Sequence, residues 1–291
     1  MPSVVERFAP SPTGALHLGH AFSALTAWEA ADRAAGRFLL RIDDLDHTRC
    51  RPQFVESIIQ DVRWLGLMWH GEILHQSRRT SEHLRTIEAL RAKGLVYPCT
   101  CSRQDIQNAA GAPQEGAETF PPYPGTCRDR PFTPDQEPRA LRLNMRKAIS
   151  LLGGGDAVRA LSFEELGEGP GGETGKIPLD AGQLIDEIGD IVLRRKDGAI
   201  AYHLAVVLDD AFQGVSHVTR ACDLFSSTPV HRLLQVLADL PTPIYRHHRI
   251  IRDKEGRRLA KRDGDMSLAV LREAGATPAD IRALVGITRH A

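Results

Sequence analysis

Apolar residues along this chain alternate between short continuous runs and helix-spaced faces, and glycine or proline marks most of the changes. Val4–Phe8 predicts a strand that runs into Ala9-Pro10-Ser11-Pro12-Thr13-Gly14, a loop by its two prolines and glycine. Ala21, Phe22, Leu25 and Trp28 recur at helical spacing, which predicts a helix from about Gly19 to before Gly36. Phe38–Ile42 reads as a second strand. Strand, loop, helix and strand in such a short span make a βαβ unit and predict an α/β fold with a parallel sheet.

The alternation continues. Pro52 suits a first helical turn, and Phe54, Val55, Ile58, Ile59, Val62 and Leu65 give an apolar face closed by Gly66. Leu84, Ile87 and Leu90 mark a helix ended by Gly94, and Leu95–Thr100 a strand. Gly111–Pro138 then carries seven prolines and three glycines, too many for regular structure, so it reads as an insertion held by something other than a core. Gly167–Gly175, with five glycines, reads as an exposed loop. It matches G-x-G-x-x-G, but no clear strand precedes it and Pro178 interrupts the helix that should follow, so the match is accidental. Strand and helix signals resume with Ile188–Arg194, Ala199–Leu208, Val215–Thr219 and a helix from about Thr228 to Leu240. Two short helices follow, Ser267–Ala274 and one opened by Thr277-Pro278.

Composition narrows the class. The 291 residues, 42% hydrophobic and 25% charged, are those of a soluble globular protein of one large domain or about two. The longest aliphatic run, Leu204–Leu208, falls far short of the ~18 residues of a membrane span. Met1–Arg7 lacks the basic and apolar regions of a secretory signal. With five cysteines, an odd number, a disulfide scaffold is not expected and the compartment is read as the cytoplasm. A formal net charge of zero argues against a protein that coats nucleic acid, DNA included, nonspecifically. The exception is Arg246–Arg262, where six arginines and two lysines face only Asp253 and Glu255: either a polyanion contact or a solvated basic loop.

His17-Leu18-Gly19-His20 places two histidines on one side of a helical turn, near a helix N-terminus whose N–H groups and dipole favour phosphate. Alone the quartet is more often a pair of capping or packing histidines. In its setting, Arg7 through His20 between a strand and a helix, it resembles the first signature of class I aminoacyl-tRNA synthetases in their glutamyl and glutaminyl branch. The resemblance implies a Rossmann-like parallel sheet with a short C-terminal helical segment, and a site in which His17 and His20 contact ATP and stabilise adenylate formation. Arg258-Leu259-Ala260-Lys261-Arg262 is similar to the family's lysine loop, with Arg258 and Ala260 replacing a Lys and a Ser. It implies that Lys261 is catalytic and that Lys261 and Arg258 meet the ATP phosphates.

Three more stretches extend the match. Arg41-Ile42-Asp43-Asp44-Leu45-Asp46 resembles R-I-E-D-x-D, Asp43 being one methylene shorter than the family's amino-acid-binding glutamate. Tyr202–Asp210 resembles the amino-acid pocket segment, and Arg220-Ala221-Cys222-Asp223-Leu224 resembles R-G-x-D-L. The implied glutamate-binding residues are Arg7, Phe8, Ala9, Pro10, Ser11, Asp43, Tyr202 and Arg220. Bidentate arginine suits the choice of a dicarboxylic amino acid over an amide.

Cys99-Thr100-Cys101 and Cys127 bracket the proline-rich stretch, and three cysteines beside so little core point to structural Zn²⁺ or to unliganded thiols. His70-Gly71-Glu72 followed by Pro98-Cys99-Thr100-Cys101 is no zinc deaminase pattern, since C-x-C cannot span a helical turn as C-x-x-C does. No histidine lies between Cys101 and Cys127 to complete a zinc site. The resemblance supplies a ligand: in the glutamyl-queuosine tRNA(Asp) synthetases, C-x-C and Y-x₃-C bind zinc, and here Tyr123 and Cys127 complete that set. Cys50 and Cys222 read as packing residues.

The chain resembles that truncated branch more than a full glutamyl-tRNA synthetase, because only 29 residues follow Arg262, too few for an anticodon-binding domain. The expected organisation is residues 1–98 and 141–240 as halves of the catalytic domain, 99–140 as a zinc-binding insertion, and 241–291 as the lysine loop with a short helical region. The implied reaction joins L-glutamate, ATP with Mg²⁺, and tRNA(Asp) carrying queuosine. Two other readings remain at this stage: a short synthetase charging a tRNA 3′ end, and a noncatalytic RNA-binding paralogue.

Overall fold

A computed structural model of the chain describes residues 3–109, 121–130, 139–251 and 267–287. Strand β1 (Val5–Phe8) leads into helix α1 (Leu18–Arg33) and β2 (Arg37–Ile42), which pairs in parallel with β1 from Val5–Arg37 to Phe8–Leu40. Helix α2 (Pro52–Trp64) connects to β3 (Leu74–His75), parallel to β2. After α3 (Thr80–Ala92) come β4 (Val96–Cys99), α4 (Arg103–Ala109), β5 (Ala140–Leu143), α5 (Met145–Leu151) and α6 (Gly155–Ala160). Next are β6 (Ser162–Glu165), β7 (Gly175–Pro178), β8 (Val192–Arg194), α7 (Tyr202–Phe212), β9 (His217–Ala221), α8 (Thr228–Leu237) and β10 (Ile244–His248). Helices α9 (Leu268–Glu273) and α10 (Pro278–Leu284) follow.

Strand β10 is parallel to both β9 and β6, with β7 antiparallel at the edge. The free side of β1 meets β9: Ser216 N donates to Val5 O at 3.0 Å, and Arg7 Nη1 to Thr219 O at 3.3 Å. The chain therefore leaves β1 toward β2 on one side and returns as β9 on the other. That reversal opens a crevice at the carboxyl ends of the strands, where ligands bind in open α/β sheets. Alternate residues of β2 serve two cores: Leu39 belongs to the cluster that includes Val5, Leu204, Leu233 and Tyr245, whereas Phe38 and Leu40 belong to the one that includes Phe8, Leu25 and Ile58. Burial on both faces explains why these strands read as continuous apolar runs.

Strands β4, β5 and β8 form a separate antiparallel sheet. The strand expected over Ile188–Arg194 is shortened to Val192–Arg194, because Gln183–Ile188 makes a π-helical turn ended by Gly189 at φ +71°. Asp190 then turns inward to accept from Tyr97 Oη (2.5 Å), Arg128 Nε (2.8 Å) and the Met145 amide (2.8 Å). The glycine-rich loop joins β6 to β7 and is mostly exposed. A Cβ on Gly167 would lie 2.0 Å from the His247 carbonyl oxygen, so glycine is required there for the approach to β10. Helix Thr228–Leu240 stops at Leu237, with Asp239 at φ +54°.

Candidate active site

The crevice is a cleft of about 610 Å³. Arg7, Phe8, Ala9, Pro10 and Ser11 enter it from the end of β1, and His17 and His20 from the start of α1. Asp43 lines it from just past the end of β2, and Tyr202 and Arg220 from α7 and β9. Lys261 and Arg258 lie outside the described residues. The described chain on either side of them reaches the same place: Ile250 and Ile251 line the cleft, and the Leu268 amide donates to Leu16 O at 2.8 Å.

Charge is organised around one carboxylate. Asp210 Oδ1 accepts from Arg7 Nε at 3.0 Å and Arg41 Nη1 at 2.5 Å, while Arg41 Nε donates to Asp43 Oδ1 at 2.8 Å. Arg41 is fully buried. Burial opposes charge on Asp210, but the guanidinium groups of Arg7 and Arg41 outweigh it and hold the carboxylate below its ordinary range. Asp43 goes the other way: burial pushes it up to about 6 against the pull of Arg41.

The two histidines of the quartet cap α1. His17 Nδ1 accepts from the Gly19 amide (3.1 Å), and His20 Nδ1 accepts from the His17 amide (3.2 Å). Each neutral ring therefore carries its proton on Nε2. A Cβ on Gly19 would sit 3.0 Å from the His17 ring, so the smallest residue lets that ring fold over the helix start. Capping and lining the cleft are one arrangement, and the donors that result suit phosphate.

Arg220 is held on three sides: Nε donates to His247 Nε2 (3.0 Å), Nη1 to His231 Nδ1 (3.1 Å) and Nη2 to Thr228 Oγ1 (2.7 Å). Burial, and then the charge of Arg220, hold His231 well below the ordinary histidine value and bring His203 down to about 4.

Away from the cleft, the Sγ atoms of Cys99, Cys101 and Cys127 lie within 4.8 Å of one another. Tyr123 Oη is 3.4 Å from Cys99 Sγ and 3.5 Å from Cys101 Sγ, and accepts from the Cys127 amide at 2.9 Å. Burial and its sulfur neighbours raise the Tyr123 phenol above its ordinary value. A tetrahedral Zn²⁺ with ~2.3 Å bonds to sulfur separates its ligands by ~3.8 Å, which these four atoms fit with small shifts. Arg142 stacks over the Tyr123 ring at 4.0 Å, tying the cluster to β5. Cys50 and Cys222 are only half-buried.

The model of the family "tRNA synthetases class I (E and Q), catalytic domain" matches residues 3–153 and 175–289. The chain belongs to that family. It is 49% identical over 290 residues to the glutamyl-Q tRNA(Asp) synthetase of Rhodobacter capsulatus, covering 98% of this chain and all of that protein. The glutamyl-Q tRNA(Asp) synthetase of Symbiobacterium thermophilum is 42% identical over 94% of this chain and 82% of its own. A solved glutamate tRNA ligase from Elizabethkingia meningosepticum, in complex with its amino acid, superposes with a TM-score of 0.68 at 26% identity. That likeness covers 90% of this chain but 53% of the other, so the chain spans about half of that ligase.

This class I synthetase thus has the expected Rossmann-like parallel sheet followed by C-terminal helices. Among its described residues no helix is long and apolar enough to cross a membrane. Every described residue expected around glutamate or ATP falls in one cleft, and the four expected metal ligands fall together elsewhere. Sequence reasoning missed Arg41, Asp210, His231 and His247. Arg41 and Asp210 were inside quoted motifs, and a charged residue within an apolar strand or helix was the available signal.

Proposed function

We propose that this chain activates L-glutamate with ATP, without tRNA for that step, and transfers the glutamyl group to the queuosine base in the anticodon of tRNA(Asp). The full-length likeness to the glutamyl-Q tRNA(Asp) synthetases carries this reading. The cleft supports it, since its lining combines a helix start bearing two Nε2–H donors with the buried Arg220 and Arg7.

Arg220, with Arg7 beside it, pairs with the substrate's side-chain carboxylate, and Asp43 lies nearby to accept from its ammonium group. The α-carboxylate attacks the α-phosphate of ATP, supplied as its Mg²⁺ complex, and pyrophosphate leaves. His17, His20 and Lys261 stabilise the charge that builds there, a contribution of several kcal/mol for fixed donors, with Arg258 also on the phosphates. A queuosine hydroxyl then attacks the activated carbonyl and AMP departs. The reaction belongs in the cytoplasm.

Residues 99–140 serve as an insertion between the catalytic halves 1–98 and 141–240, followed by the lysine-loop and helical region 241–291. Cys99, Cys101, Cys127 and Tyr123 hold Zn²⁺, which when bound cross-links the insertion to β4. ATP–pyrophosphate exchange tests the first step. Exchange should appear with glutamate in the absence of tRNA and be absent with glutamine; silence with glutamate would contradict the reading.

A further inference from the structure

The surroundings of Arg220 fix more than its position. Arginine only donates, so the ring nitrogens facing it, His247 Nε2 and His231 Nδ1, must accept. His247 then carries its proton on Nδ1, which donates to Glu165 Oε2 at 2.5 Å. Glu165 Oε1 is itself held by the amides of His247 (2.8 Å) and Gly167 (2.7 Å). His231 carries its proton on Nε2, which donates to His203 Nδ1 at 3.1 Å. His203 adjoins Tyr202, whose ring centre is 5.7 Å from that of His231 and which lines the cleft. Two chains of hydrogen bonds in opposite tautomers thus converge on one guanidinium. Glu165, His231 and His247 are at most 2% exposed and Arg220 5%, so water cannot replace these partners. Among the described residues three of the five guanidinium N–H bonds are used, and one on each terminal nitrogen remains to form a two-pronged site.

We infer that His231 and His247 are positioning residues: by accepting from Arg220 they aim its two remaining N–H bonds at a substrate carboxylate and so set selectivity for an acid over its amide. This rests on the proposed reading of Arg220 as the carboxylate-binding residue. A neutral acceptor leaves the full positive charge of Arg220 for the ligand, whereas a carboxylate partner, such as Asp210 beside Arg7, partly neutralises it.

The test is glutamate-dependent ATP–pyrophosphate exchange, with KM measured separately for glutamate and ATP. Losing one acceptor for a buried cation should raise KM for glutamate ~10- to 100-fold in His231→Phe and in His247→Phe, with KM for ATP unchanged. His231→Asn and His247→Gln place an oxygen where the lost ring nitrogen stood and should restore most of the loss. The swapped amides His231→Gln and His247→Asn should not, and this contrast decides the matter if the phenylalanine variants fail to fold. In the wild-type chain, ¹⁵N shifts should show His231 protonated on Nε2 and His247 on Nδ1.

Unchanged KM for glutamate in the phenylalanine variants, equal effects of matched and swapped amides, or the opposite tautomers would overturn the inference. Arg220→Lys separates the two layers. If it leaves KM for glutamate unchanged, the carboxylate-binding reading fails and the inference with it. If it raises KM while the histidine variants do not, only the positioning role fails.

Discussion

Arg7 Nε and Asp210 Oδ1 meet at 3.0 Å although 203 positions separate them in the chain, and this buried contact joins the first strand, where Arg7 lines the cleft, to α7. The same oxygen takes Arg41, so removing it takes a shared carboxylate from two buried guanidinium groups and leaves Arg7 with the Thr219 carbonyl and Arg41 with Asp43. Asp210→Ala should therefore cost ~3–5 kcal/mol of stability, as when one partner of a buried pair is deleted. Urea unfolding measures it, and a loss below ~1 kcal/mol would show that Arg7 and Arg41 find other acceptors.

The cysteine cluster predicts a metal-dependent local fold. Cys99→Ser or Cys127→Ser should lower bound zinc, read by mass spectrometry of the purified protein, and raise proteolytic cleavage near Tyr123. Tyr123→Phe should weaken retention less, since three thiolates remain. Full zinc retention in Cys99→Ser would remove that residue from the ligand set.

What the sequence made legible was local. The β1–loop–α1 entry could be read because prolines, a glycine and helical spacing follow each other within thirty residues, and Thr277-Pro278 announced a cap that the structure forms with Asp280. Strand β10 was not legible: Arg246, His247 and His248 suggest a polar segment, and only its place between β9 and β6 explains the burial of the two histidines. The partners of Arg220 lie on α8 and β10, and the partners of His247 and His231 on β6 and α7, so no spacing rule could group them. The cysteine spacing was readable, but the fourth ligand came from the family resemblance. The lysine loop was read entirely by resemblance.

Titration should leave a signed mark on stability. His203 falls to about 4 on folding, so its contribution is complete above the ordinary 6.5 and is lost as pH drops through about 4. His231, His217, His247 and His248 shift in the same direction. Asp43 opposes them, its contribution complete below 3.8 and lost as pH rises through about 6. The melting temperature should fall from pH 6.5 to pH 4, less steeply in His203→Gln and more steeply in Asp43→Asn. Scanning calorimetry across that range checks it, and parallel curves for all three proteins would contradict the assignment.

Lys261→Ala should reduce glutamate-dependent exchange ~100-fold or more, the usual effect of removing one donor to developing charge, while the melting temperature stays unchanged. Near-normal exchange would show that another cation meets the phosphates.

The most direct test supplies labelled glutamate and ATP together with tRNA from cells that make queuosine or from cells that cannot. The account predicts label on the first pool alone, recovered after nuclease digestion in the anticodon fragment of tRNA(Asp). Label on both pools, recovered on the 3′-terminal adenosine, would contradict it.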